Sequence, residues 1–333
     1  MQTHSFFSRA ALMCCVVAGM ATTLTLATSS AFAQYPDKPI RLIVPYPPGG
    51  ATDVIGRVMA QKLGAALGQT VVVDNRAGAT GNLGAAIVAK EKPDGYTLLM
   101  GALTSHSISS VLSAATAQFD MDKSFAPVAI VGRVPLVFVV NPAVKATTLA
   151  ELIALAKANP GSITFASSGN GSPQHLAGEM FQRMVGVKLL HVPYKGSGPA
   201  MTDLIGGQVQ MMIETAPAAQ GHVKAGKLRA LATATLSPIP SLPGVPTAPE
   251  AGLKGFDVSS MFGILAPAGT PAPIIAKLNA TLKSILEQQD VKDSMLAQGA
   301  NATWTTPEQA AQAIRAEVAM WTQVIRDGNI KGD

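Results

Sequence analysis

Cysteine is almost missing from this chain of 333 residues, which has 2, Cys14 and Cys15, both in an apolar N-terminal stretch. Beyond that stretch there is no disulfide, no thiolate nucleophile and no cysteine-based zinc site. Neither cysteine follows a small residue, as a lipid-anchoring cleavage pattern would require. The later histidines, His106, His175, His191 and His222, have no H-x-H or H-x-x-x-H spacing, so no metal is expected. No G-x-S-x-G nucleophile elbow occurs. Gly49-Gly50 lacks the lysine of a phosphate-binding P-loop, and Gly169 with Gly171 lacks the third glycine of a dinucleotide loop. No cofactor is therefore expected. The 25 Lys and Arg exceed the 20 Asp and Glu by only 5, and they form no run interleaved with aromatics. That charge pattern gives no nucleic-acid surface. After the N-terminal stretch, no uncharged apolar run reaches the roughly 18 residues that a membrane-spanning helix needs.

The N-terminus carries an export pattern. Residues 1–9 hold one charge, Arg9, residues 10–27 are apolar or small, and Ala31-Phe32-Ala33 gives a small-x-small site. Residues 1–33 are expected to be a signal peptide cleaved after Ala33. A retained membrane anchor is the competing reading.

From residue 34 onward, short apolar runs alternate with helix-period segments. Strands are expected at 39–45, 70–73 and 96–100, with a helix at 53–67 and a helix-compatible segment at 82–90. In the first helix Val54, Ile55, Val58, Met59, Leu63 and Leu67 share a face. The middle repeats this rhythm. Strands are expected at 136–140, 163–166, 189–192, 210–213 and 228–234. Helices are expected at 148–158, 173–185, 199–205 and 216–226. Residues 237–250 are rich in proline and turn residues and read as a surface connection. A last strand at 262–265 precedes helices at 273–288, 290–297 and 307–326. Thr306 is the expected N-cap of the last helix, Pro307 its first residue and Gly328 its stop. The alternation implies an α/β protein with parallel sheet covered by helices.

Two loops share one physical design. Tyr46-Pro47-Pro48-Gly49-Gly50-Ala51-Thr52-Asp53 lies between a strand and a helix, and so does the loop from Ser167 to His175. Glycines turn the backbone and expose N–H groups, and the helix that follows leaves unsatisfied donors at its start. Such a terminus attracts a carboxylate or phosphate. Each loop could equally be a plain turn that binds nothing. Ser168, His175 and Asp203 can be assembled into a hydrolytic triad on paper, but His175 at a helix start more often caps or packs. Asp53 in a first helical turn could complement the helix dipole as readily as bind a ligand.

Seven segments carry a resemblance. They are YPPGGATD (46–53), VVVDNRAGATGNLG (71–84), PDGYTLLMG (93–101), FASSGNGSPQHLAGE (165–179), HVPYKGSGPAMTDLIGGQVQ (191–210), GVPTAPEAGLKGF (244–256) and GILAPAGTP (263–271). In this order, along nearly all of the chain after residue 33, they resemble the Bug family. These are the TctC-like periplasmic substrate-binding proteins of tripartite tricarboxylate transporters. The resemblance implies a type II periplasmic-binding-protein fold, with two α/β lobes, a central ligand cleft and a two-segment hinge. Lobe one would be 34–133 plus 256–333, and lobe two 134–255. It implies a non-enzymatic, monomeric, periplasmic protein that captures a small carboxylate, such as an amino acid, a dicarboxylate or an aromatic acid. The partner would be the membrane permease subunits of the transporter. A sensor-kinase ectodomain is the alternative recipient, and a secreted serine hydrolase the rival from another class. Carried onto this sequence, ligand contacts fall on Gly49, Gly50, Ala51, Thr52, Ser167, Ser168 and Gly169. Further contacts would come from Tyr46, Asp53, Thr104, Ser105, His175, Tyr194 and Asp203. Asn75, Arg76, Gly78 and Gly81 read as structural. The absence of Lys and Arg from both loops implies recognition through backbone N–H groups and hydroxyls, although Lys195 and Arg133 could lie near the cleft.

Overall fold

Alternation within single strands shows how the core is divided. In β1 (Ile40–Val44) Leu42 and Val44 pack into one apolar cluster, while Ile43 packs into another on the opposite face. Both faces are buried, as in parallel sheets covered by helices on each side. The computed structural model describes residues 35–49, 51–297 and 299–331. The expected signal peptide and Gly50 lie outside the described residues.

Beside β1 run β2 (Val71–Asn75) and β3 (Thr97–Ala102), both parallel to it. Helix α1 (Ala51–Leu67) follows β1 and buries Ile55, Met59 and Leu63, one turn apart, against this sheet. After a short turn, Ala79–Gly81, helix α2 (Asn82–Ala89) leads into β3. Helix α3 (Leu103–Leu112) and a single turn, α4 (Ala114–Ala117), follow. The sequence LTSHSISSVL carries no helix signal of its own. Its serines and threonine are poor helix formers, and burial of Leu103 and Ile108 overrides that weak propensity.

Strand β4 (Phe125–Val140) is 16 residues long, where only its last third was expected. Pro127 and Pro135 speak against a strand, and the ladder accommodates the first with a register shift between Pro127 and Ala129. Phe125–Pro135 pair antiparallel with β9 (Ser259–Pro267), which in turn pairs with β3. From Leu136 onward the partners change to β7 (Met211–Thr215) and β8 (Arg229–Thr233). Strand β7 continues through β5 (Thr164–Ser167) to β6 (Leu190–Pro193), all parallel. The chain returns where Val258 donates to Ala234 in the second half and Ser259 pairs with Pro135 in the first. Two adjacent strands therefore join two α/β halves.

The second half carries α5 (Leu149–Ala158), α6 (Pro173–Val185), α7 (Ser197–Ile205) and α8 (Ala216–Lys224). Its core centres on Phe138, Phe165, Phe181 and Phe256. After β9 come α9 (Ala272–Leu286), α10 (Gln289–Ala297), a short strand β10 (Asn301–Ala302) on β4, and α11 (Pro307–Gly328). Helix α11 starts in a capping box between Thr306 and Gln309. Gly328 is its last residue, and Asn329, at φ 48°, makes the left-handed stop expected of the glycine. This helix places Ala310 and Ile314 in a first-half cluster, and Trp321, Val324 and Ile325 in a second-half cluster. It is a third link between the halves.

Candidate functional site

The loop after β1 is held by one carboxylate. Asp53, 2 % exposed, accepts at Oδ2 from the Gly49 N–H at 2.9 Å and from Arg57 Nε at 3.0 Å. Its Oδ1 accepts from Asn75 Nδ2 at 2.8 Å, and that amide also donates to the Tyr46 carbonyl at 3.0 Å. Burial disfavours the charge, but the hydrogen bonds from Arg57, Asn75 and Gly49 outweigh it and hold the carboxyl below its usual range. Gly49 sits at φ 91°, where a side chain would be strained. Asp53 thus orders the loop and has both oxygens engaged by the protein. Ala51 is exposed at the start of α1 and Thr52 is buried.

Tyr46 donates its hydroxyl to the Thr80 carbonyl at 3.1 Å. Its ring is parallel to that of His106, with centroids 6.4 Å apart, and His106 meets Phe119 edge-on at 5.9 Å. Gly81 backs this stack. At φ 93° it is left-handed, and a Cβ there would lie 2.9 Å from both the Tyr46 ring and His106 Cε1. His106 is fully buried, neither ring nitrogen has a hydrogen-bond partner, and burial pushes its pKa down to about 4. Burial pushes the Tyr46 phenol up to about 12, against a hydrogen bond with Ser105. Thr104 is a bridge to β9: its Oγ1 accepts from the Met261 N–H at 3.0 Å and donates to the Ser259 carbonyl at 3.3 Å.

The second loop opens α6, with Ser172 as N-cap and Pro173 in the first turn, as its sequence implies. Its N–H groups, expected to be free, are largely used within the protein. That of Gly169 reaches Ser167 Oγ at 3.2 Å, that of Gly171 reaches His175 Nδ1 at 3.1 Å, and that of Ser172 reaches the Gly169 carbonyl at 3.2 Å. The loop folds back on itself because a buried hydroxyl and imidazole outcompete solvent for these donors. Ser167 is buried, with Oγ 2.7 Å from His191 Nε2. The His175 ring stacks on His191 at 3.9 Å. Burial, aided by repulsion from His175, lowers the His191 pKa to about 4. Tyr194 donates to Asp203 Oδ2 at 2.7 Å, and burial together with that carboxylate pushes the phenol up to about 12. Ser168 donates to Gln174 Oε1 at 2.9 Å. The hydrolytic triad therefore does not assemble, since Ser168, His175 and Asp203 are each committed to another partner.

Between the two loops lies a cleft of ≈ 410 Å³. Tyr46, Thr80 and Ser105 line it from the first half, as does Ser260 near the start of strand β9. The run from Ser168 through Gln174 lines it from the second half. No charged side chain is in this lining. Arg133 instead donates to Ser259 Oγ at 3.2 Å and lines a different cavity with Asp257. Lys195 is exposed outside the lining. A cavity of ≈ 320 Å³ lined by Asn141, Val144, Lys145 and Ile163 lies before the start of β5. The cleft lies past the end of β5, the carboxyl end of a parallel strand, where open α/β sheets bind ligands. Of the residues singled out from sequence, Tyr46, Ser105, Ser168 and Gly169 line the cleft. Gly49, Ala51 and Thr52 belong to the loop that continues from Tyr46. Asp53, Thr104, Ser167, His175, Tyr194 and Asp203 stand behind it, bonded to protein. Thr80, Ser260 and Gln174 also line the wall, beyond the residues that the sequence pattern marks. Thr80, at φ 56°, lay within a motif read as structural, and nothing local marks Ser260. Among the described residues no group of three His, Cys, Asp or Glu side chains could hold a metal ion. None of the described helices is long and apolar enough to cross a membrane.

Comparison with known proteins agrees with this architecture. Residues 55–330 match the family model described as the tripartite tricarboxylate transporter family receptor. Protein BugT of Bordetella pertussis is 42 % identical over 297 residues, covering 89 % of this chain and 91 % of that protein. An R. palustris protein solved with adipate superposes with a TM-score of 0.76 at 35 % identity, covering 89 % of this chain and 99 % of the other. MatC from Rhodopseudomonas palustris, solved with bound malate, gives a TM-score of 0.71 at 33 % identity, with 87 % and 100 % covered. The same α/β fold is seen in the solved periplasmic binding protein BugD, which superposes with a TM-score of 0.72 at 34 % identity, covering 90 % of this chain and 100 % of the other. The chain belongs to the Bug family of tripartite tricarboxylate transporter receptors, a family of solute-binding proteins rather than enzymes.

Proposed function

We propose that this chain is exported with cleavage after Ala33, and that it captures a small carboxylate in the 410 Å³ cleft for delivery to the permease of a tripartite tricarboxylate transporter. The lobes are 34–133 plus 256–333 and 134–255, hinged where β4 and β9 cross, with α11 lying against both. The observation that carries the reading is a cleft whose lining is polar yet uncharged and is drawn from both halves. A small anion there is met by hydroxyls, with no buried counter-charge to desolvate. Relatives that share the fold were solved with adipate and malate. Their ligands support the carboxylate class for this chain, and the family description supports the permease as recipient. The lack of Lys and Arg favours mono- and dicarboxylates over a tricarboxylate. Closure is stabilised by contacts that the ligand makes with the second half only when the lobes meet.

A thermal-shift screen of the purified protein against amino acids, dicarboxylates, citrate and aromatic acids tests this. Ligand at about 100 times Kd should stabilise by about 2.7 kcal/mol, saturably. Ser105→Ala should weaken the shift. A flat panel, repeated after unfolding and refolding to strip any co-purified ligand, would overturn the carboxylate reading.

A further inference from the structure

The Ser168 hydroxyl in the cleft wall ends a chain of hydrogen bonds that starts on a buried carboxyl group. Glu214 lies on β7 with no solvent exposure. Its Oε1 accepts the Thr215 N–H at 2.6 Å and the Thr215 hydroxyl at 2.9 Å, so this oxygen can only be an acceptor. Gln174 Nε2 lies 3.2 Å from the same oxygen, and 3.3 Å from Ser197 Oγ. The 6 % exposed Gln174 amide is thereby oriented, with nitrogen towards Glu214 and oxygen towards Ser168. An amide oxygen cannot donate, so the proton of Ser168 is committed to Gln174 Oε1. What Ser168 offers the cleft is its lone pairs. Ser172 is the opposite case. Its Oγ accepts the His175 N–H at 3.2 Å and keeps its own proton for the cleft.

The second-half wall thus presents an acceptor at Ser168 and a donor at Ser172. A bare carboxylate satisfies only the donor and sets oxygen against oxygen at Ser168. Reversing the relay would turn the Gln174 oxygen onto Glu214, which is repulsive and buried. We infer that the ligand is a carboxylate that also carries a hydroxyl or ammonium donor directed at Ser168, with Gln174 and Glu214 as the positioning residues that set this specificity. The inference rests on the carboxylate reading above and narrows it.

The test is calorimetric titration of the purified protein with matched acids: succinate, malate, aspartate and 2-methoxysuccinate, with the shorter and longer homologues of each. At whichever length binds, the hydroxy or amino acid should bind about tenfold tighter than the plain acid, equivalent to about 1.4 kcal/mol. The methoxy acid, which accepts but cannot donate, should gain nothing. Ser168→Ala should bring the ratio to about one. Gln174→Met, which removes the amide oxygen that holds the Ser168 proton, should lose or invert the preference. A role confined to packing would change all affinities together and leave the ratio standing. Plain and methoxy acids that bind the native protein as tightly as the hydroxy acids would overturn the inference and leave the carboxylate reading intact. So would a preference that survives Ser168→Ala. If no acid binds at any length, the carboxylate reading itself fails and takes this inference with it.

Discussion

Replacing His106 by phenylalanine isolates the energetic effect of a buried, unpartnered imidazole. His106 is fully buried, and its pKa is pushed down to about 4 by burial from the ordinary 6.5. Between those values the unfolded chain binds a proton that the folded chain refuses. Stability is therefore fully present above the unfolded pKa and is lost as pH falls towards the folded one. At about 1.36 kcal/mol per pKa unit, His106 alone should remove roughly 2–3 kcal/mol between about pH 7.5 and about pH 4.5. Phenylalanine keeps a flat ring against Tyr46 and Phe119 and has no nitrogen to leave unsatisfied. Near neutral pH the variant should be as stable as the native protein or somewhat more so, since an orphaned buried polar group costs about 1–3 kcal/mol. Urea unfolding of both proteins at the two pH values measures the difference directly. His191 and the buried carboxyls titrate in both proteins and cancel in the comparison. If both proteins lose the same stability on acidification, His106 is not held neutral by burial and the reasoning fails.

Four further outcomes follow from the site and the core. Asp53→Ala removes the acceptor shared by Gly49, Arg57 and Asn75, and should cost roughly 2–4 kcal/mol in urea unfolding as well as weaken ligand binding. In the native protein the stabilisation from the depressed Asp53 carboxyl is present above its unfolded pKa of about 4 and is lost as pH falls below it, which an acid titration of stability will show against Asp53→Asn. Gly81→Ala places a methyl 2.9 Å from Tyr46 and His106 at a left-handed φ, and should lower the melting temperature and shift near-ultraviolet circular dichroism from the tyrosine stack. Trp321→Ala empties a fully buried site where α11 meets the second half, and should cost about 3–5 kcal/mol.

Much of the framework was legible as one-dimensional pattern. The IRLIV run, the stripe from Ile55 to Leu63 and the Ser172-Pro173 start of α6 are local signals, because period and capping are set within a few residues. The same locality explains the omissions. In β4, Pro127 and Pro135 argue against a strand that only its pairing with β9 stabilises, and α3 is a weak helix that only burial of Leu103 and Ile108 makes stable. The loops that open on the cleft were recognisable by their glycines and helix starts. Which of their groups face a ligand was not. Asp53, Ser167 and His175 have the chemistry of ligand contacts but spend it on Arg57, His191 and Gly171.

Composition, the export pattern, the alternation of strands and helices and the two strand-to-helix loops follow from residue order, since each depends on neighbours within a turn or two. The cleft depends on long-range packing. Thr80 and Ser260 reach the same wall only because β9 returns beside β4, and α11 meets both halves only because they already lie together. The Ser168 proton is taken by Gln174 because Glu214, on another strand, orients that amide between them. Hydrogen-bond direction is a property of the whole buried network, and that network exists only once the chain is folded.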